Sequence, residues 1–300
     1  MTHRQFSKIP ETNKHTTFPV QEADTLLSFL YGQLAHKSRT YVKSLLGNRQ
    51  VSVDGKIVSQ FDHPLSPGQK VEIGLKKYFP ENEPAGFKIV YEDNDLLVID
   101  KPAGLLSIST ETEKQDTAYS MVSDHVKKLN KSGKIFIVHR LDRETSGLMV
   151  FAKNEDIKHR MQDNWDDIIT ERNYLALVEG VPDKPEGTIT SYLFEDKNFK
   201  MHSSPNPGKG LLAITHYNTL KKNRNFALLK VSLETGRKNQ IRVHLQEAGH
   251  PVAGDKKYGA TTNPIKRLGL HAQQLSFIHP STGEKMNFET PVPKAFLRIF

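Results

Sequence analysis

The sequence contains no cysteine, which excludes a disulfide framework and any thiolate metal site and fits a reducing cytoplasm. No apolar run approaches the roughly 18 residues that a membrane-spanning helix needs. The opening MTHRQFSKIPETNKHTTFPV is polar throughout and lacks the apolar core of a signal peptide, so a soluble, unexported protein is expected. Its 13 histidines fall in no HExxH or similar spacing, and no metal site can be argued from them. There is a single tryptophan, and neither an internal repeat nor a low-complexity tract is visible.

What is present describes a globular chain. Hydrophobic residues make up 36% and charged residues 25%, and 300 residues exceed one usual compact core, so two domains are expected. The 42 lysines and arginines outnumber 34 aspartates and glutamates, a formal charge of +8 that suits a polyanionic partner.

Chemistry concentrates in Ile135 to Lys153, IFIVHRLDRETSGLMVFAK. The runs Ile135 to Val138 and Leu148 to Phe151 have the β-branched and aromatic make-up of strands, and between them lies a turn dense in ionisable groups. Asp142 sits there among His139, Arg140 and Arg143, a carboxylate in cationic company. Gly147 lets the backbone turn into the second strand. Unaided, such a loop reads as a solvated hairpin turn. HRLDxxTSG followed by an apolar strand and Ala-Lys, however, strongly resembles the catalytic motif of the RluA-type pseudouridine synthases, which isomerise uridine within RNA.

The rest of the chain supplies further matches in order. Lys101-Pro102-Ala103-Gly104 ends a strand and is a turn on physical grounds, yet DKPAG is typical of the same family. Arg172 to Gly180 alternates into a strand with Tyr174 near its start. A tyrosine there reads as packing by itself, but its place matches the family's basic residue, tyrosine and ALVxG, with Arg172 where lysine is usual. LETGRKNQIRVH, from Leu233 to His244, passes from a strand through a glycine turn into a short helix, presenting Arg237 and Arg242 near a helix N-terminus that favours anions. It resembles the family's TGRxHQIRVH, with Asn239 in place of histidine. GHPVAGDKKYG and LHA complete the pattern.

Upstream, residues 1–21 read as a loosely held arm. Leu26, Leu27, Leu30 and Tyr31 recur at helical spacing, and Ser38 caps a second helix, Arg39 to Leu46, with Tyr41, Val42, Leu45 and Leu46 on one face. Arg39 and Lys43, four residues apart, take the other side. VSVDGKIV is two short runs joined at Asp54-Gly55, a hairpin signal. Lys37, Arg39, Lys43, Arg49 and Lys56 face only Asp54, a phosphate footprint if the side chains converge. KSRTYVKSLLGNRQVSVDGKIV resembles the small RNA-binding domain of the S-four type, which implies RNA binding by residues 22–76. FPENEPAG reads as a linker, 77–86, ahead of a catalytic domain over 87–300. Six lysines and arginines without an acidic residue between Lys197 and Asn225, interrupted by prolines and glycine, suggest a flexible cationic hairpin or loop along a phosphate backbone.

The resemblance implies an α+β fold, a mixed and largely antiparallel sheet flanked by helices around a central cleft. It implies that Asp142, Tyr174 and Arg242 are catalytic, with Arg242 pairing the aspartate, and it makes Arg140 and Arg237 candidate RNA contacts beside Arg39, Lys43 and Arg49. Moving the ribose from a ring nitrogen to carbon 5 needs no redox change or group donor, so no cofactor and no metal is expected. A carboxylate suits the task as nucleophile or as base, and the residues leave both open. The uridine must leave its stack to be reached, with Tyr174 stacking on the flipped base. The expected partner is RNA, ribosomal or transfer, and a monomer is expected. Two rivals are a non-catalytic RNA-binding protein and a glycoside hydrolase pairing Asp142 with Glu144.

Overall fold

The computed structural model describes residues 15–47, 50–58, 60–74, 87–109 and 117–300. The chain divides into two compact units, Met1–Asn82 and Glu83–Phe300. The expected linker, 77–86, lies outside the described residues.

In the first unit, helices Leu26–Gln33 and Arg39–Gly47 lie with a four-stranded sheet ordered His15–Pro19, Lys70–Gly74, Val51–Val53, Lys56–Ile57. Ser38 accepts the Tyr41 N–H at 3.2 Å, as a cap should. Asp54 and Gly55 both have positive φ (49° and 75°), the primed turn that matches strand twist. Val42, Leu45 and Leu46 join Leu26, Leu30, Val51 and Val71 in one core. Two expectations change. His15–Pro19 pairs antiparallel with Lys70–Gly74, so the loose arm does not reach residue 21. Tyr41 is 45% exposed, because the stripe formed by 42, 45 and 46 fills the contact and Tyr41 lies beside it under the Lys37 ammonium, 5.5 Å away.

The second unit is built on an eleven-stranded sheet. Its main path runs Met201–Ser204, Glu186–Glu195, Leu211–Lys222, Phe226–Leu233, Ile169–Glu179, Leu270–Ile278, Ser146–Ala152, Leu96–Lys101, Lys88–Glu92. Pairing along this path is antiparallel except at one seam, where Ser146 and Gly147 run parallel to His271 and Ala272. Central strands such as LLVIDK and SGLMVFA are apolar on both faces because helices cover both. Helix Ala118–Leu129 sets Ala118, Val122 and Val126 on Leu97, Ile99 and Phe151, and helix Glu155–Asp163 sets Ile157 and Met161 on Leu96, Val98 and Phe277. Both start on side-chain caps: Thr117 accepts from Ser120 N–H at 3.1 Å and Asn154 from Ile157 N–H at 2.9 Å.

The apolar run before the Asp142 turn shrinks to the two-residue strand Phe136–Ile137, which folds back on Ala152 and Phe151. The Lys197 to Asn225 stretch is not a loose loop. Most of it is strand, Met201–Ser204 and Leu211–Lys222, whose partner Glu186–Glu195 satisfies the backbone that a loop would leave to water.

Candidate active site

The turn carrying Asp142 is an excursion from one strand, closed where Ile137 faces Phe151. Alternation decides which side chains point where. Leu141 is buried in the core beneath helix Ala118–Leu129, and its neighbour Asp142 stays about one-third exposed. Ser107 clamps this position twice, its hydroxyl accepting from Leu141 N–H at 3.1 Å and donating to the Leu141 carbonyl at 2.6 Å. The Asp142 carbonyl accepts from Thr145 N–H at 3.1 Å and tightens the turn. Lys101 lies beneath. It is fully buried, and its ammonium donates to the carbonyls of Pro102, Leu105 and Arg143 at 2.9, 2.7 and 3.1 Å. Burial pushes this amine down to about 8, against the pull of Glu144 and Asp142. Lys101 is therefore a strut under the turn and does not line the cleft.

His139 is not one of the cations around Asp142. Its Nε2 accepts from Val150 N–H at 3.1 Å, filling a gap in the strand ladder, and its ring leans on Trp165 at 5.3 Å. Burial, aided by Arg172, pushes it down to about 4, so the imidazole is neutral.

Arg242 reaches Asp142 from helix Gln240–Glu247, whose Ile241 and Leu245 pack on Ala176, Val178 and Leu229. Its Nη1 donates to Asp142 Oδ2 at 3.0 Å. The same guanidinium grips Asp255 with both remaining nitrogens, Nε to Oδ2 at 2.6 Å and Nη2 to Oδ1 at 2.8 Å, a bidentate pair that fixes its plane. The two carboxylates and their hydrogen bonds raise the Arg242 pKa further against the cost of burial. Asn239, which stands where histidine was expected, begins the helix with φ 54°, a left-handed conformation that asparagine tolerates. Its amide spans two neighbours, accepting from Arg242 at 3.2 Å and donating to the Tyr258 hydroxyl at 3.0 Å. The Arg242 guanidinium lies 4.9 Å from the Tyr258 ring centroid.

Tyr174 enters through the seam. Ala272 pairs with Gly147 on one side and with Tyr174 on the other, so one residue sets the register of both. The Tyr174 ring packs between two cores, and its hydroxyl has no hydrogen-bond partner among the described residues. Burial raises its pKa, and Asp142 adds to the rise while Arg172 opposes it.

Asp142, Tyr174, Arg140, Arg237 and Asn239 all line a cleft of about 880 Å³, and Arg242 joins them around a recess of about 90 Å³. That volume accommodates a nucleotide. Arg140 and Arg237 are exposed, and Arg237 is steered by its Nε, which donates to the Leu212 carbonyl at 3.0 Å. Glu144 lines neither space. Arg39 and Lys43 are exposed on the first unit, and Arg49 lies outside the described residues. The sequence reading missed Asp255 and Tyr258 as supports of Arg242. Both stand in GHPVAGDKKYG, but flanking lysines and glycines there mark neither as buried. No group of three or more metal-ligating side chains occurs among the described residues, and no helix is long and apolar enough to cross a membrane.

Residues 95–247 match the family model for RNA pseudouridylate synthase. An uncharacterised RNA pseudouridine synthase of Mycoplasma pneumoniae is 36% identical, with 93% of each chain covered. A ribosomal large subunit pseudouridine synthase D of Pasteurella multocida is 31% identical over 87% of this chain and 86% of its own. The solved human RNA pseudouridylate synthase domain containing 4 superposes with a TM-score of 0.58 at 26% identity, covering 70% of this chain and 90% of that one. With a matching family model and relatives that align along almost its whole length, the chain belongs to the RluA-type RNA pseudouridine synthases, isomerases that convert uridine to pseudouridine in RNA.

Proposed function

We propose that Asp142 is the catalytic group of this isomerase, that Arg242 and Tyr174 serve it, and that its substrates are uridines of structured RNA, ribosomal RNA first. The observation that carries this reading is the chain Asp142–Arg242–Asp255 at the cleft wall. Arg242 spends two of its donors on a buried anchor and turns a third on Asp142 Oδ2, while Oδ1 accepts no hydrogen bond from the described residues. One carboxylate oxygen is thereby oriented and the other is left for substrate.

The isomerisation keeps every atom. The bond from ribose C1′ to N1 breaks, the uracil turns, C1′ joins C5, and C5 gives up the proton that N1 regains. Asp142 can open this sequence by attacking the sugar or by removing a sugar proton, and its fixed position suits both. Tyr174, held protonated by burial, is better suited to stacking on the turned base and relaying a proton than to acting as the resident base. Arg140 and Arg237, exposed at the cleft mouth, are placed for phosphates on either side of the target. Arg39 and Lys43 on the first unit support its reading as an S-four type RNA-binding domain. A relative named as a ribosomal large subunit pseudouridine synthase supports ribosomal RNA as the target.

Tritium release from RNA labelled at uridine C5 tests the core of this. Asp142→Asn should bind RNA and melt like the parent protein yet release label at background rate. A well-folded Asp142→Asn protein that still releases tritium removes the carboxylate from the mechanism. Pseudouridine mapping of ribosomal and transfer RNA with and without the protein identifies the target.

A further inference from the structure

Outside the cleft, one turn carries two costs on a single side chain. Among the described residues four non-glycine residues have positive φ: Asp54, Phe199, Asn239 and Lys266. Aspartate and asparagine tolerate that region through short polar side chains, whereas an aromatic there is strained. Phe199, at φ 57°, is also 72% exposed, more than any other large hydrophobic residue described. Strain and exposure together on one ring call for a use.

The turn is stiff. The Asp196 carboxylate accepts from the backbone N–H groups of Asn198 and Lys200, both at 2.9 Å, and meets His202 at 2.8 Å. Phe199 N–H closes the turn on the Asp196 carbonyl at 3.0 Å. The ring is thus held out on a fixed tip, and cations surround it. Lys238 Nζ lies 5.9 Å from its centroid, Lys257 Nζ donates to the Phe199 carbonyl at 3.2 Å, and Lys200 follows in the chain. Glu195 pairs with Lys238 and offsets one of these charges. Lys238 also lines the cleft, and Lys257 lies 5.9 Å from the ring of Tyr258, the residue beneath Arg242. Contacts therefore run without a break from the tip to Asp142.

An exposed ring among lysines suits unpaired nucleic acid, because every base offers a π face to stack while its phosphates meet the ammonium groups. The centre of a protein interface is depleted in lysine, which disfavours that alternative. We infer that Phe199 is a stacking platform for an unpaired base of the substrate RNA next to the uridine drawn into the cleft, with Lys238 and Lys257 on the adjoining phosphates. The inference rests on the pseudouridine synthase reading of the cleft and adds a subsite to it.

The test measures affinity against salt for an RNA stem-loop whose target uridine is flanked by unpaired bases, with pseudouridine formation followed in parallel. Phe199→Ala should weaken binding about 5- to 100-fold with an unchanged salt slope, and Phe199→Trp should restore it. Lys257→Ala should instead lower the slope. Phe199→Gly, which relieves the backbone, should bind as weakly as the alanine variant while melting no lower than the parent, separating lost stacking from lost folding. Parent-like affinity in the alanine or glycine variant, or a tryptophan variant as weak as alanine, overturns the platform. An effect confined to self-association in light scattering assigns the ring to a protein contact and overturns it too. Should the parent protein form no pseudouridine, the catalytic reading falls, and the binding comparison still decides the platform.

Discussion

At the scale of single residues, the site depends on groups that never touch substrate. Asp255 is 2% exposed and holds Arg242 through two charge-assisted hydrogen bonds. Asp255→Asn leaves a buried guanidinium with half its anchor, and breaking such a pair typically costs about 3–5 kcal/mol. The expected result is a melting temperature lower by roughly 6 °C or more and turnover reduced well beyond the loss of folded protein, read by thermal melts and tritium release side by side. Parent-like turnover in this variant removes Asp255 from the mechanism. His271 offers a pH handle. Its Nδ1 meets Ser146 Oγ and its Nε2 meets Thr290 Oγ1, both at 2.8 Å, and burial, with Arg267 adding, pushes it down from 6.5 to about 4. Below pH 6.5 the unfolded chain takes up a proton that the fold refuses. The stability from this group is therefore complete above 6.5 and is lost as the pH falls to 4, a span of about 3 kcal/mol at 1.36 kcal/mol per pH unit. His271→Gln should flatten the melting temperature against pH between 6.5 and 4, with His139, also near 4, leaving a residual slope. An unaltered slope shows that His271 is not the group responsible.

At the scale of elements, the parallel seam does the positioning. Gly147 has φ 116°, and a Cβ there would stand 2.2 Å from the Ala272 carbonyl oxygen, a backbone atom that cannot swing aside. Gly147→Ala should cost about 3 kcal/mol or more from overpacking and backbone strain together, and turnover should fall with it, because the strand that leaves the Asp142 turn and the strand that carries Tyr174 are both registered on Ala272. Normal melting and normal turnover in this variant would place the register elsewhere. This seam also marks how far the sequence could be read. Helix Arg39–Gly47 was legible because its Ser38 cap and apolar spacing are local signals, and Asp142 was legible through its motif. His139 was misread as a cation because its neutrality comes from burial, aided by Arg172, which only the folded chain supplies. The Lys197 to Asn225 strands were misread as a flexible hairpin or loop because lysines and prolines look like solvent, while the partner strand that orders both is earlier in the chain. Asp255 was missed because nothing in GDKKYG indicates burial; only folding brings Arg242 onto it.

At the scale of the whole molecule, each unit has its own hydrophobic core, so a surface substitution on one leaves the packing of the other intact. Arg39→Ala with Lys43→Ala should weaken RNA binding and lower the salt slope by up to about two counterions, while turnover on saturating RNA changes less than affinity. An unchanged slope would show that this helix face does not meet phosphate. One consequence of the sheet order concerns timing. The Leu270–Ile278 strand is inserted between Ser146–Ala152 and Ile169–Glu179, two strands that leave the ribosome well before it. Until it arrives, the strand that leaves the Asp142 turn and the strand that carries Tyr174 have no partner between them, so a growing polypeptide that already carries every residue assigned to the chemistry still lacks the strand that joins them in one sheet.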